Sequence, residues 1–391
     1  MQLSLSFVTG LIAAGLAVAV PAPSPPSPQD DFVKFSLTKR SPKFHHADSF
    51  IIDPDKVASH ISSITSKYAQ TLSNLESNNG SKRKKRASST IGLTPQQQQS
   101  FWSGSVQLGG QTLSIDFDTG SSDTVINEGA YKPGSTATKT NKAFQNSYGT
   151  TGNSQTVGGV VYRDTFASNS LKASKASIGL VTSGGNIIDG ADGLIGLAYP
   201  SISSYGSANP PLFDELSQEG ALSSKVFGIS LSTSGGSLSL GGLDSTKYSG
   251  AITYTSVSRQ AYWQVPASVN GQQFSSIVDS GTTLIIADTD SGSAQQFFRN
   301  LGVSTFTYQG DLYGKVSCTN PPKITFNYGG KSITLTKESS IFGQTSDGNC
   351  ALSIIGTSVG QNAWITGDPL FLSSYVVFDR ANNRVGFADR K

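Results

Sequence analysis

Two short stretches of the 391-residue chain set a carboxylate in the same surroundings. The first runs Ile115-Asp116-Phe117-Asp118-Thr119-Gly120-Ser121-Ser122, and the second runs Ile277-Val278-Asp279-Ser280-Gly281-Thr282-Thr283, its Asp 161 residues after Asp118. Each is an apolar, β-branched run that delivers Asp onto a hydroxyl residue, a Gly and further hydroxyls. That pattern reads as a strand ending in a tight turn beside a carboxylate. Asp290-Ser291-Gly292 has the same three letters as the second motif but follows polar Thr289, so it is expected to be an ordinary polar turn. Two carboxylates contributed by matching halves suit general acid–base work, because neighbouring carboxyls release their protons at different pH.

Elimination sharpens this. The histidines are His45, His46 and His60, all ahead of the basic run Lys82-Arg83-Lys84-Lys85-Arg86. A chain cut after Arg86 has no His, which excludes Ser-His-Asp and Cys-His nucleophiles and any His-ligated metal. Cys318 and Cys350 are the only cysteines; a disulfide is expected in a secreted chain, with two free thiols as the alternative. Paired carboxylates are the economical source of chemistry, and neither a metal nor a cofactor is called for.

The ends of the chain suggest processing. Phe7 to Val20 is an uncharged apolar run ending in Ala17-Val18-Ala19, too short to span a bilayer, and residues 1–19 are expected to be a secretory signal. Residues 20–86 are expected to be a basic propeptide that starts Pro-rich and ends at Arg86. The stretch 21–86 takes 11 of the chain's 29 basic and 6 of its 26 acidic residues, leaving 18 and 20. The basic balance therefore belongs to the precursor and implies no nucleic-acid partner for the rest. No other stretch is apolar enough to be transmembrane, and the polar C-terminus lacks a lipid-anchor tail, so an extracellular, membrane-free monomer is expected.

The elements that must position the carboxylates are strands. Short alternating runs such as Ser103 to Leu108 and Thr112 to Phe117 are separated by Gly-Gly turns, and charged residues are only 14% of the chain. This pattern points to an all-β sandwich or barrel-like protein. Pro211 to Gln218 and Ser293 to Leu301 are the expected short helices. Within the propeptide, Phe32 to Arg40 alternates like a strand and Val57 to Leu75 is compatible with a helix.

Asp118-Thr119-Gly120-Ser121-Ser122 and Asp279-Ser280-Gly281-Thr282-Thr283 resemble the two active-site loops of pepsin-like aspartic proteases. Leu194-Ile195-Gly196 and Ile365-Thr366-Gly367, 78 and 88 residues further on, are similar to the family's pair of apolar-Gly segments, with Thr366 in an ordinarily apolar place. The closing text, Tyr375 to Ala388, is also close to the family. The resemblance implies two pseudo-twofold β lobes, 87–255 and 256–391, with a cleft between them. It makes Asp118 and Asp279 the catalytic pair, braced by Thr119 and Ser280 and hydrogen-bonded by Ser121 and Thr282. Gly120 and Gly281 would admit substrate backbone, and Tyr148 would work on a flap hairpin whose tip the spacing leaves open. Tyr262 would line the cleft, at even weight with a core aromatic pair. The propeptide would cover the cleft and bring a basic residue to the carboxylates, Lys34 or Lys39.

The chain also departs from the family. Thr124-Val125 replaces the usual Leu-Trp, so the Trp that supports the flap Tyr is missing, and Thr150 stands where some fungal relatives carry Asp. That substitution predicts apolar residues beside the scissile bond. The expected partners are protein or peptide substrates and the chain's own propeptide. The principal reading is a secreted acid endopeptidase made as a zymogen. One alternative is a catalytically silent protein of the same fold that binds or inhibits. A two-carboxylate glycoside hydrolase is the other, but it explains neither the duplicated loops nor the basic segment.

Overall fold

The structure is a computed structural model that describes residues 32–40, 44, 49–78, 101–150, 153–188 and 190–391. The expected signal peptide and the basic run 82–86 lie outside the described residues. Strands dominate and form two sheets, of 13 and 11 strands, matching the expected two-lobed all-β architecture.

In each sheet an Asp-bearing strand lies away from the edges. Gln111–Asp118 sits between Phe101–Leu108 and Gly193–Gly196, and it runs parallel to the latter with Asp118 opposite Gly196. Gln272–Val278 sits between Trp263–Val269 and Trp364–Thr366, and it runs parallel to the latter with Val278 opposite Thr366. Ile115, Phe117, Ile277 and Val278 are buried, which accounts for apolar, β-branched text leading into each Asp. Trp263–Val269 shows the period-two pattern, burying Trp263, Val265, Ala267 and Val269.

The two sheets do not divide the chain at one point. The closing strands Tyr375–Asp379 and Arg384–Arg390 join the larger sheet, pairing with Val226–Ser232 and Tyr248–Ser256. At this junction Trp263 packs on Phe378 at 5.1 Å and on Phe227 at 5.6 Å, and Phe227 stacks on Phe378 at 4.7 Å. The indole of Trp263 donates to the Leu197 carbonyl at 3.0 Å, tying one half to the floor of the other.

The helices fall where periodicity and punctuation place them, at Leu212–Gln218 and Ser293–Leu301. Gly292, with φ 73°, ends the Asp290-Ser291-Gly292 turn and starts the second helix, so that third Asp-Ser-Gly is a turn as expected. Cys318 and Cys350 form a disulfide with Cα atoms 5.0 Å apart. The N-terminal segment supplies a strand, Val33–Arg40, inserted between Gly235–Leu240 and Phe101–Leu108, and a long helix, Pro54–Asn78.

Candidate active site

The Asp118 and Asp279 loops face each other with reciprocal hydrogen bonds. Thr119 Oγ1 donates to the Val278 carbonyl at 2.9 Å and accepts from Ser280 N at 2.9 Å. Ser280 Oγ in turn donates to the Phe117 carbonyl at 2.7 Å and accepts from Thr119 N at 3.1 Å. Each buried hydroxyl thus spends both capacities across the symmetry axis, and each loop fixes the other.

Within each loop the carboxylate is held the same way. Asp118 accepts from Gly120 N at 2.8 Å and Ser121 Oγ at 2.6 Å; Asp279 accepts from Gly281 N at 2.9 Å and Thr282 Oγ1 at 2.6 Å. The glycines have a second task, because a β-carbon on Gly120 would lie 2.5 Å from the Asp279 carboxylate, and one on Gly281 would collide with Asp118. Only glycine lets the opposite carboxylate approach this closely. The segments behind complete the symmetry: Ala198 N donates to the Ser121 carbonyl and Asp368 N to the Thr282 carbonyl, both at 2.8 Å.

The sequence pointed to Lys34 or Lys39 as the cation at this pair, but the structure places Lys67 there. Its Nζ lies 2.8 Å from Asp279 Oδ2 and 3.2 Å from Asp118 Oδ1, and Tyr68 OH donates to Asp279 Oδ2 at 2.9 Å. Lys34 instead pairs with Asp244 at 2.7 Å, because the strand that carries it is absorbed into the larger sheet. The signal that could have found Lys67 was its isolation. It is the only basic residue between Lys56 and Lys82, in the middle of the helix-compatible run.

Charge and burial together split the pair. Burial alone would lower the Lys67 ammonium, but the two carboxylates outweigh it and hold it above its ordinary value. Burial pushes Asp118 up, opposed by Lys67 and reinforced by Asp279. Asp279 would rise through burial too, yet the closer Lys67, with Asp118 and Thr282, draws it down. Asp118 therefore gives up its proton at higher pH than Asp279, and the pair carries a single proton only on the acid side of about 6.

The flap expectation falls on a long hairpin, Thr138–Thr150 with Asn153–Ser168, paired up to Thr150 opposite Asn153. Thr150 and Asn153 are the last pair of the hairpin among the described residues. Tyr148 is opposite Gln155; the side chains of Tyr148 and Thr150 lie outside the described residues. Where a Trp is missing, Val125 packs with Phe144, Val157, Leu194 and Tyr205, and Tyr205 OH donates to the Thr124 carbonyl at 2.6 Å.

Sequence reading passed over Asp123, which is 4% exposed and ties three segments together. It accepts from Ser203 Oγ at 2.5 Å, from Ser204 N at 2.9 Å and Ser204 Oγ at 2.6 Å, and from Asn146 Nδ2 of the hairpin at 3.4 Å. Burial pushes this carboxyl up against the downward pull of those donors. Tyr262 meets the Pro54–Asn78 helix: its hydroxyl lies 2.6 Å from Thr71 Oγ1, and its ring centroid is 5.3 Å from that of Tyr68. The unusual Thr366 is satisfied through Ser276 Oγ at 2.8 Å and Tyr328 OH at 3.4 Å. Among the described residues no group of His, Cys, Asp and Glu could hold a metal.

The comparisons agree with this geometry. The family model for eukaryotic aspartyl protease matches residues 102–390. The secreted aspartyl protease 1 of Malassezia globosa is 31% identical, the alignment covering 99% of each chain. An aspartic protease of Phaffia rhodozyma is 33% identical over 78% of this chain and 80% of its own. The crystal structure of the aspartic proteinase from Irpex lacteus superposes with a TM-score of 0.64 at 25% identity, covering 74% of this chain and 94% of that one. With two carboxylate loops locked across a pseudo-twofold axis, the chain belongs to the eukaryotic aspartyl protease family and is an aspartic endopeptidase.

Proposed function

We propose that the chain is made as a secreted zymogen and that Asp118 and Asp279 are its catalytic dyad. The observation that carries this is Lys67 Nζ bridging both carboxylates from the Pro54–Asn78 helix, within a segment that ends in the basic run 82–86. An ammonium there occupies the place where a water must be activated, so the precursor is held silent.

Once the segment is gone, the dyad shares one proton. The ionised carboxylate takes a proton from water as the water oxygen bonds to the scissile carbonyl carbon, and the protonated partner gives its proton to the carbonyl oxygen. Collapse of the tetrahedral diol breaks the C–N bond, with a proton passing to the leaving amine. Acid and base belong to the pair, because the two carboxyls titrate together. Ser121 and Thr282 orient the outer oxygens, Thr119 and Ser280 fix the spacing, and the Tyr148 hairpin closes over the peptide. Acid frees the cleft by protonating the carboxylates that hold Lys67.

The test is digestion of a denatured protein at acid pH by the processed chain beside its Asp118→Asn variant. Cleavage by the first and none by the second is expected. Undiminished cleavage by the variant would overturn the dyad assignment. No cleavage by a folded, processed wild-type protein would favour the silent binding protein.

A further inference from the structure

Beside Asp118, between the Pro54–Asn78 helix and the larger sheet, lies a cavity whose enzyme-side lining is Ser121, Ser122, Asp123, Asn146, Ser147 and Ile202. Five of these six are polar. The helix side of the lining is Gln70, Thr71 and Asn74, with Lys67, whose ammonium is taken by Asp118 and Asp279. Gln70 and Asn74, four residues apart, share one face, which continues beyond the cavity to Asn78. Ser147 Oγ donates to Gln70 Oε1 at 3.3 Å, and Asn74 Nδ2 donates to the Ile202 carbonyl at 3.1 Å. Asn78 Nδ2 donates to the Ser201 and Ser203 carbonyls at 2.8 and 3.0 Å. The cavity wall thus offers a hydroxyl donor at Ser147 and a carbonyl acceptor at Ile202. A primary amide has the complementary set, one acceptor and two N–H donors.

We propose that this cavity is a substrate subsite selective for a carboxamide side chain, Gln or Asn, and that the helix row rehearses that contact. The inference rests on the helix being a propeptide that leaves. The one anion in the wall does not make it a cation site. Both Asp123 oxygens already accept from Ser203, Ser204 and Asn146, so a Lys or Arg side chain would have to crowd or displace those donors to pair with it directly. An apolar side chain would strip water from the carbonyl and the hydroxyl without replacing their hydrogen bonds. Apolar preference is then left to the remaining subsites.

The test is a peptide library cleaved by the processed enzyme at acid pH, read as kcat/KM for each residue at each position. One position should favour Gln and Asn over Leu and Met about tenfold, the size of one well-made hydrogen bond. Ser147→Ala should shrink that amide-to-Leu ratio several-fold, a readout independent of how much enzyme is folded. Leu or Met ahead at every position, or Lys or Arg ahead where the amide is expected, overturns the subsite while leaving the protease reading intact. A library left wholly uncut refutes the protease reading itself.

Discussion

Asp118 and Asp279 sit in loops with the same hydrogen bonds, yet the ground behind each is chemically different. Behind Asp118 stands a second carboxylate, Asp123, saturated by Ser203, Ser204 and Asn146 and joined through Asn146 to the hairpin. Behind Asp279 stands a neutral hydroxyl cluster of Ser276, Thr366 and Tyr328. The N-terminal helix also discriminates, since Lys67 is nearer Asp279 and Tyr68 donates to Asp279. Symmetry thus covers the loops and the backbone bonds that hold them from behind, and stops at the side chains beyond. The supports answer local needs, which on the Asp118 side include holding the 138–168 hairpin without a Trp.

The largest expected effect tests the symmetric part. Asp118→Asn and Asp279→Asn should each lower kcat by about 10⁴-fold, because residues acting as a unit fail together. Single-turnover rates that differ by more than tenfold between the variants would break the equivalence of the two loops.

The next effect addresses the cation between them. Lys67→Met leaves two buried carboxylates facing an apolar group, which should weaken helix docking by about 3–5 kcal/mol. The precursor should then process and cleave substrate near neutral pH, where the unsubstituted precursor is expected to be silent. Silence of both would remove Lys67 from the inhibitory role.

Histidine supplies a third test, because His60 lies on the same helix, 5% exposed, its ring 5.2 Å from Phe44 and both ring nitrogens without a hydrogen-bond partner. Burial first, then Lys67, pulls it down to about 4, with Asp279 opposing. The released segment binds a proton near 6.5, so it holds more protons than the docked form between those values. Docking is therefore at full strength above about 6.5 and weakens as pH falls toward 4, by about 3 kcal/mol in all. His60→Leu should move the midpoint of acid release to lower pH; an unchanged midpoint would assign acid release to the carboxylates alone.

The smallest effects compare the supports. Asp123→Ala strands several buried donors and should cost about 3 kcal/mol in unfolding, while Thr366→Val removes one hydroxyl and should cost about 1 kcal/mol. Equal costs in denaturant titration would erase the distinction between the two sides.

Much of this protein was legible as text because its information is local. Apolar runs ending in Asp-Thr-Gly and Asp-Ser-Gly determined the two strand-and-turn units, since a β-branched strand and a glycine turn are set by their own residues. The helices Leu212–Gln218 and Ser293–Leu301, the helix around Val57 to Leu75 and the strand near Phe35 were readable for the same reason. What the sequence could not say was which cation reaches the carboxylates, because that depends on where a strand and a helix dock. Val33–Arg40 is held by sheet hydrogen bonds away from the cleft, and the helix that follows carries Lys67 across it. Asp123 was equally hidden, for its donors at Asn146, Ser203 and Ser204 lie 23 to 81 residues away. Only the folded chain brings such groups within hydrogen-bond reach, and that proximity decides which carboxyl is ionised, which is braced and which is covered.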